Sequence, residues 1–286
     1  MKLRLLALVL SALLLGGCAS LINRAASSFA NDLEAAIRGY DEPAAVAAAL
    51  PAFMLIMEAR LESSPESAEL RLTTARLTQT YATLFSDAEH ADSARRLSRR
   101  ALHHARIGAC LHSSRLCELE RLDFDSLDER IASFDSRQVE PVYALATSWT
   151  GWIAAHSDDF RALADLPRVE TLLSWVAERS PGHDDGAVYL YLAVLNSQRP
   201  PAAGGQPRKA RAYFEKARQA SAGRNLLINV LMADSYARLM FDRDLYVDLL
   251  ESVLATDNDE PEYRLVNQVA RARARELLAE TEAIFD

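Results

Sequence analysis

The sequence predicts an all-α fold, a solenoid of stacked helical hairpins closed by a C-terminal capping helix. Three observations lead there. Half of the residues are hydrophobic while Phe, Trp and Tyr together make only 7%, a balance weighted to Ala and Leu that favours helix over strand. No stretch carries a convincing period-two alternation. Between Gly186 and Thr256, one spacing of small and aromatic residues occurs twice in succession. Its first copy has Tyr189, Leu192, Ala193 and Asn196 on one face, then Ala210, Phe214 and Ala217. Its second has Asn229, Met232, Ala233 and Tyr236, then Tyr246, Leu250 and Val253. Small residues are needed where two paired helices approach closely, and the aromatic fills the gap to the next pair.

The amino terminus reads as a targeting segment. Lys2 and Arg4 precede an apolar run, Leu5 to Leu15, shorter than the roughly 20 residues that span a bilayer. Leu15-Gly16-Gly17-Cys18 then resembles a bacterial lipobox, which implies acylation of Cys18 and cleavage before it; the alternative is an ordinary signal peptide with an incidental cysteine. Residues 1–17 are thus expected to be removed, 18–28 to tether the chain to its lipid, and 29–286 to form one helical domain. Ala19 and Ser20 follow the cysteine in place of aspartate, which by resemblance to Gram-negative lipoproteins favours a periplasm-facing anchor in the outer membrane. The remaining pair, Cys110 and Cys117, has two readings. On one continuous helix their spacing amounts to roughly 10 Å, too far for a disulfide. A bend at Gly108 or His112-Ser113-Ser114 would permit the bridge, and an oxidising compartment would favour it.

In chain order, helical periodicity starts near Phe29, with Leu33, Ala36 and Ile37 on one face. Asp41-Glu42-Pro43 opens a second helix, Pro43 in its first turn, running to Ser63 or Ser64 with Phe53, Met57 and Arg60 as its pairing face. Ser67 to Phe85 follows, carrying Thr78, Tyr81, Ala82 and Phe85. The next helix pairs through Ala94, Ser98 and Ala101, while its Arg95-Arg96, Arg99-Arg100 and His103-His104 read as a solvated face. Residues 107–139 are the least regular, with a short helix within Leu122–Phe134. Glu140-Pro141 starts a strong helix with Val142, Leu145, Ala146, Trp149, Trp152 and Ile153. After an insertion, Pro167 opens another with Val169, Leu173 and Val176. Asp259-Glu260-Pro261-Glu262 starts the last helix, which carries Val266, Val269, Ala270, Ala274, Leu277 and Leu278 and serves as the cap a repeat array needs.

The doubled spacing is that of the tetratricopeptide (TPR) repeat, about 34 residues long. With the lipobox and the intervening segments, the chain resembles the T component (TatT family) of tripartite ATP-independent periplasmic (TRAP) transporters. The residues that carry this are Leu50-Pro51, Tyr81-Ala82 with Phe85, Tyr143 with Trp149 and Trp152, Pro167 with Val169-Glu170, Gly186-Ala187 with Tyr189, Gly204-Gly205, and Arg264-Leu265 with Asn267 and Ala270. The resemblance implies an all-helical lipoprotein with an internal ligand cavity or pore that associates with the transporter's periplasmic substrate-binding protein. A small organic ligand and a homo-oligomer are compatible with it. The competing reading is a TPR scaffold for envelope assembly.

A net charge of -8 leaves no basic footprint for nucleic acid. Nucleophile, zincin, P-loop and dinucleotide motifs are absent from the sequence, so neither catalysis nor a cofactor is expected. His156-Ser157-Asp158-Asp159 and His183-Asp184-Asp185 put imidazole beside carboxylates, but both fall at helix ends, where Asp and Ser serve as caps more readily than as metal ligands. Gly204-Gly205 could cradle an anion or form a plain loop. First helices of repeat arrays line the concave surface used for binding. The phasing puts Tyr143, Thr147, Leu190, Val194, Asp234 and Arg238 there, and these form the expected ligand or partner surface.

Overall fold

A computed structural model of the chain describes residues 35–85, 91–198, 205–257 and 260–286. The leader, Cys18, the tether and the first expected helix face at Leu33 lie outside these residues, as does Gly204. Everything described is helix, turn or loop, with no strand among the described residues. The main helices are α1 (Pro43–Ser63), α2 (Ala68–Phe85), α3 (Ala91–His112), α4 (Phe124–Ala132), α5 (Val139–Ala155), α6 (Leu166–Arg179), α7 (Ala187–Asn196) and α8 (Pro207–Ala220). They continue as α9 (Leu227–Leu231), α10 (Arg243–Ala255), α11 (Arg264–Ala279) and α12 (Thr281–Phe285). Local chemistry sets the starts. Proline stands in the first turn of α1, α6 and α8, where its missing N–H costs nothing. Asp123 caps α4 by accepting from the Ser126 N–H at 2.8 Å, and Asp242 caps α10 from Leu245 at 3.1 Å.

Neighbouring helices pack in sequence, α2 on α3, α5 on α6, α7 on α8 and the α9 segment on α10. Two apolar cores result. One gathers Trp149, Leu127, Leu172 and Val176; the other gathers Phe214, Met232, Tyr246 and Leu250. Tyr189 and Tyr213 pack against both. Of the doubled spacing read from the sequence, Leu192, Ala193, Ala210, Phe214, Ala217, Ala233, Tyr246 and Val253 are buried, while Tyr189 and Asn229 are half-buried. Ala210 and Ala233 are wholly inaccessible, so Ala210→Leu or Ala233→Leu should each cost about 1–3 kcal/mol by overpacking. Chemical denaturation of both variants measures this, and unchanged midpoints would refute the seam.

Several features depart from the sequence reading, among them His104, expected on a solvated face but buried. The pairing face of α1 is Val46, Leu50, Met54 and Leu61, not Phe53, Met57 and Arg60, of which Arg60 is exposed. With apolar residues all round there is no periodicity to choose a face, and packing on α2 chooses it. Beyond α9 the helix widens into a π-helical segment, Met232–Ala237, for which the sequence carries no signal. The last long helix is more than a cap. Leu265 at its start joins Val46 and Leu50 of α1 in a third apolar cluster, and Arg264 donates to the Gly39 carbonyl at 3.1 Å. The chain of packing contacts therefore closes on itself, end to beginning.

Cys110, in the final turn of α3, is disulfide-bonded to Cys117, with their α-carbons 4.4 Å apart. The helix stops at His112 and a single 3-10 turn, Ser114–Leu116, reverses the chain. Helix termination there brings the two cysteines within bonding distance.

Candidate functional site

The turn between α6 and α7 is where the two ends and the middle of the chain meet. Asp184, Asp185 and Gly186 are three consecutive left-handed residues, with φ of 49°, 53° and 75°. Gly186 is required twice over. Its backbone is one that side chains resist, and a Cβ there would lie 2.3 Å from that of Ala220 at the end of α8. The paired left-handed aspartates serve different partners. Asp184 accepts from the Tyr143 hydroxyl of α5 at 2.8 Å and from Arg38 at 3.3 Å. Asp185 accepts from the Tyr263 hydroxyl, just before α11, at 3.1 Å. Neither aspartate caps a helix: the α7 start has no side-chain cap, which corrects the capping role expected of this run. The other run behaves as expected in part, since Asp159 accepts from the Arg161 N–H at 2.9 Å while Asp158 pairs with Arg95 at 2.8 Å.

Around the turn the polar groups interlock. His183 Nε2 lies 3.1 Å from Glu140, which also takes Arg76 at 2.5 Å. The His183 ring stands edge-on to Tyr143 with centroids 4.6 Å apart, and the Tyr191 ring lies 6.1 Å from that of Tyr143. Burial holds the Tyr143 and Tyr191 phenols protonated, pushing both well above their ordinary value. Tyr143 is therefore a fixed donor to Asp184.

The hydrogen bond to Glu140 raises His183 above 6.5, and the same bond lowers Glu140 below 4.5. The raised histidine stabilises the fold fully below its ordinary value, and that contribution disappears as pH climbs through the folded value. The lowered glutamate contributes above its ordinary value and stops doing so as pH falls through the depressed one. Both act together between those two ordinary values. His104 is displaced the opposite way: burial lowers it, with Arg71 donating to Nδ1 at 3.1 Å and Glu58 3.0 Å from Nε2. A direct wild-type pH profile would mix the two. The difference in melting temperature between wild type and His183→Gln isolates the first, and should be largest between the ordinary values of the two groups and shrink as pH climbs through the raised value of His183. A difference that does not vary with pH would exclude the ionic role.

The six residues expected on the binding surface come from α5, from α7 and from the π-helical segment with the residue after it. Tyr143 and Thr147 belong to α5. Tyr143 is engaged with Asp184, and the Thr147 hydroxyl is buried and donates to the carbonyl of Tyr143 at 2.9 Å. Leu190 and Val194 pack into the second core. Asp234 and Arg238 stand on and just beyond the π-helical segment, paired at 3.2 Å, with Arg273 3.8 Å from the same carboxylate. The structure thus joins Tyr143 to a polar hub that includes Asp184, Asp185, His183, Glu140 and Tyr263, and sets the Asp234–Arg238–Arg273 group apart from it. The clefts are modest. One of about 130 Å³ is lined by Leu166, Pro167, Glu170, Leu195, Asn196, Gly205 and Gln206, with Lys209 paired to Glu170 beside it. That is well below the roughly 300–1,000 Å³ of pockets that enclose organic ligands. A shallower hollow of about 400 Å³ lies by Tyr236, Phe241 and Arg243. Among the described residues no three His, Cys, Asp or Glu side chains are grouped to hold a metal ion.

In this all-helical body the buried phenols of Tyr143 and Tyr263 are tied to the carboxylates of one turn. The chain belongs to the TRAP transporter T-component family, whose model matches residues 39–285. A comparison with curated proteins gave no match.

Proposed function

We propose that the chain is a non-enzymatic, lipid-anchored, periplasm-facing accessory of a TRAP transporter, acylated at Cys18, that engages the transporter's substrate-binding protein. The observation that carries this is the family match over residues 39–285. The surface best suited to the contact is formed by two polar groups. Asp184 and Asp185 offer carboxylate oxygens beside Arg38 at one site, and Asp234, Arg238 and Arg273 form the other. Charged rims of this kind govern encounter and register more than raw affinity. A small organic ligand shared with that partner would be held at the joint surface, since the two clefts described among these residues are small or open.

Titration calorimetry against the substrate-binding protein of the same transporter tests the proposal. Arg238→Ala should weaken binding with little change in melting temperature, because the Arg238 side chain is 52% exposed and exposed ion pairs add roughly 0–1 kcal/mol to stability. Tyr143→Phe is the matching probe of the hub, because Tyr143 is buried and Tyr143→Ala would damage packing. Binding by both variants at wild-type strength would reject this surface. No binding by wild type would reject the partner, and capture of envelope-assembly proteins in its place would favour the scaffold reading.

A further inference from the structure

Helix α1 is a misfit on the surface of a chain with net charge -8. From Pro43 to Met57 it contains no charged residue. It is also a helix long and apolar enough to cross a membrane, with a mean hydropathy of 1.6, yet only 22% of that stretch is buried. Val46, Leu50, Met54 and Leu61 face the protein. The opposite side, from Ala48 through Ala52 to Leu55 and Ile56, is open, with Leu55 69% and Ile56 56% exposed. A helix apolar all round is normally enclosed on all sides. This one is enclosed on one side only.

Its neighbour supplies the complement. On α3, Arg96, Arg99, Arg100 and His103 are exposed and spaced to share one helix face. Glu58, at the last turns of α1, binds Arg100 at 3.0 Å and His104 at 3.0 Å. These contacts tie the arginine-bearing helix to α1 at Glu58, three residues from Leu55. They also hold the last turns of α1 against the protein body. An exposed apolar helix face bordered by cations is the composition of a segment that lies in the interfacial plane of an anionic membrane.

We propose that this combined face of α1 and α3 rests on an anionic bilayer surface, so that the body of the protein is held in one orientation. The proposal deepens the lipid-anchored reading and draws on it, since α1 begins 25 residues after Cys18. In this arrangement Leu55 and Ile56 insert among the acyl chains near the headgroups, while Arg96 and Arg99 meet lipid phosphates.

The test uses the full chain, purified from membranes of an expressing cell. It is mixed with vesicles of phosphatidylcholine alone or with phosphatidylglycerol added. Flotation reports attachment, and hydrogen exchange read by mass spectrometry reports coverage of residues 52–59. Exchange there should slow roughly tenfold on the anionic vesicles relative to phosphatidylcholine. Leu55→Asp with Ile56→Asp, or Arg96→Glu with Arg99→Glu, should abolish the slowing; all four sites are exposed, and circular dichroism confirms that the variants fold. Flotation on both vesicles without slowing would leave the lipid anchor standing and overturn the docking face. Flotation and slowing on anionic vesicles alone would support the face and remove the lipid anchor. Flotation on neither overturns both. Slowing that follows protein density in place of lipid charge assigns the face to a second copy and overturns the proposal.

Discussion

Trp149→Ala should be among the most damaging single changes, lowering stability by about 3–5 kcal/mol. Trp149 is fully buried at the middle of α5, within the core that includes Leu127, Leu172 and Val176. Its indole N–H donates to Asp165 at 3.2 Å, and the Arg106 guanidinium lies 5.0 Å from the ring. Truncation leaves a cavity the size of the indole. It also removes a donor from Asp165, a carboxyl already raised by burial. Trp149→Phe separates the two effects, since it keeps most of the apolar volume and loses only the donor. It should cost about 1–3 kcal/mol, the range for a half-buried acceptor deprived of its partner. Urea denaturation near neutral pH gives both values. If the phenylalanine variant were as unstable as the alanine variant, packing would not be the main contribution of Trp149.

The second large effect is expected at Gly186. Gly186→Ala places a Cβ where the backbone is left-handed, at about 1 kcal/mol. It also drives that atom to 2.3 Å from the Ala220 methyl, an overlap relieved only by moving α7 or α8, at about 1–3 kcal/mol more. Because Asp184 and Asp185 occupy the same turn, the movement should also loosen Tyr143 and Tyr263 from their carboxylates. Adding Ala220→Gly should recover part of the lost stability by removing the overlap while leaving the backbone conformation unfavourable. A Gly186→Ala protein that melts with the wild type would show that the turn yields freely, contrary to the close packing of its neighbours.

Much of the helical framework was legible because its signals are local. Proline marks the starts of α1 and α6, with Asp41-Glu42 ahead of the first, and the small-aromatic spacing around Ala193, Phe214 and Ala233 registers the later helix pairs. The face of α1 was not legible, because a uniformly apolar helix has no moment to read. The hub at Asp184 and Asp185 was missed for a different reason. Capping rules look three residues ahead, whereas the partners of these aspartates, Tyr143 and Tyr263, are 41 and 78 residues away. A signal was present in Asp-Asp-Gly, residue types that tolerate a left-handed backbone in succession. Asp234 and Arg238 stand four residues apart, a spacing that lets them pair on one helix face. Arg273, the third member of that group, comes from another helix and has no such spacing.

Contact between the first and last long helices changes how such an array can evolve. An open array can gain or lose a repeat at either end, because each unit leans only on its neighbours. Here Leu265 must meet Val46 and Leu50, and Arg264 must reach Gly39. Inserting or deleting a hairpin would rotate one end away from the other and expose that seam. The number of helical units is therefore locked, and diversification within this architecture should fall on surface side chains and loop lengths, with repeat count held fixed.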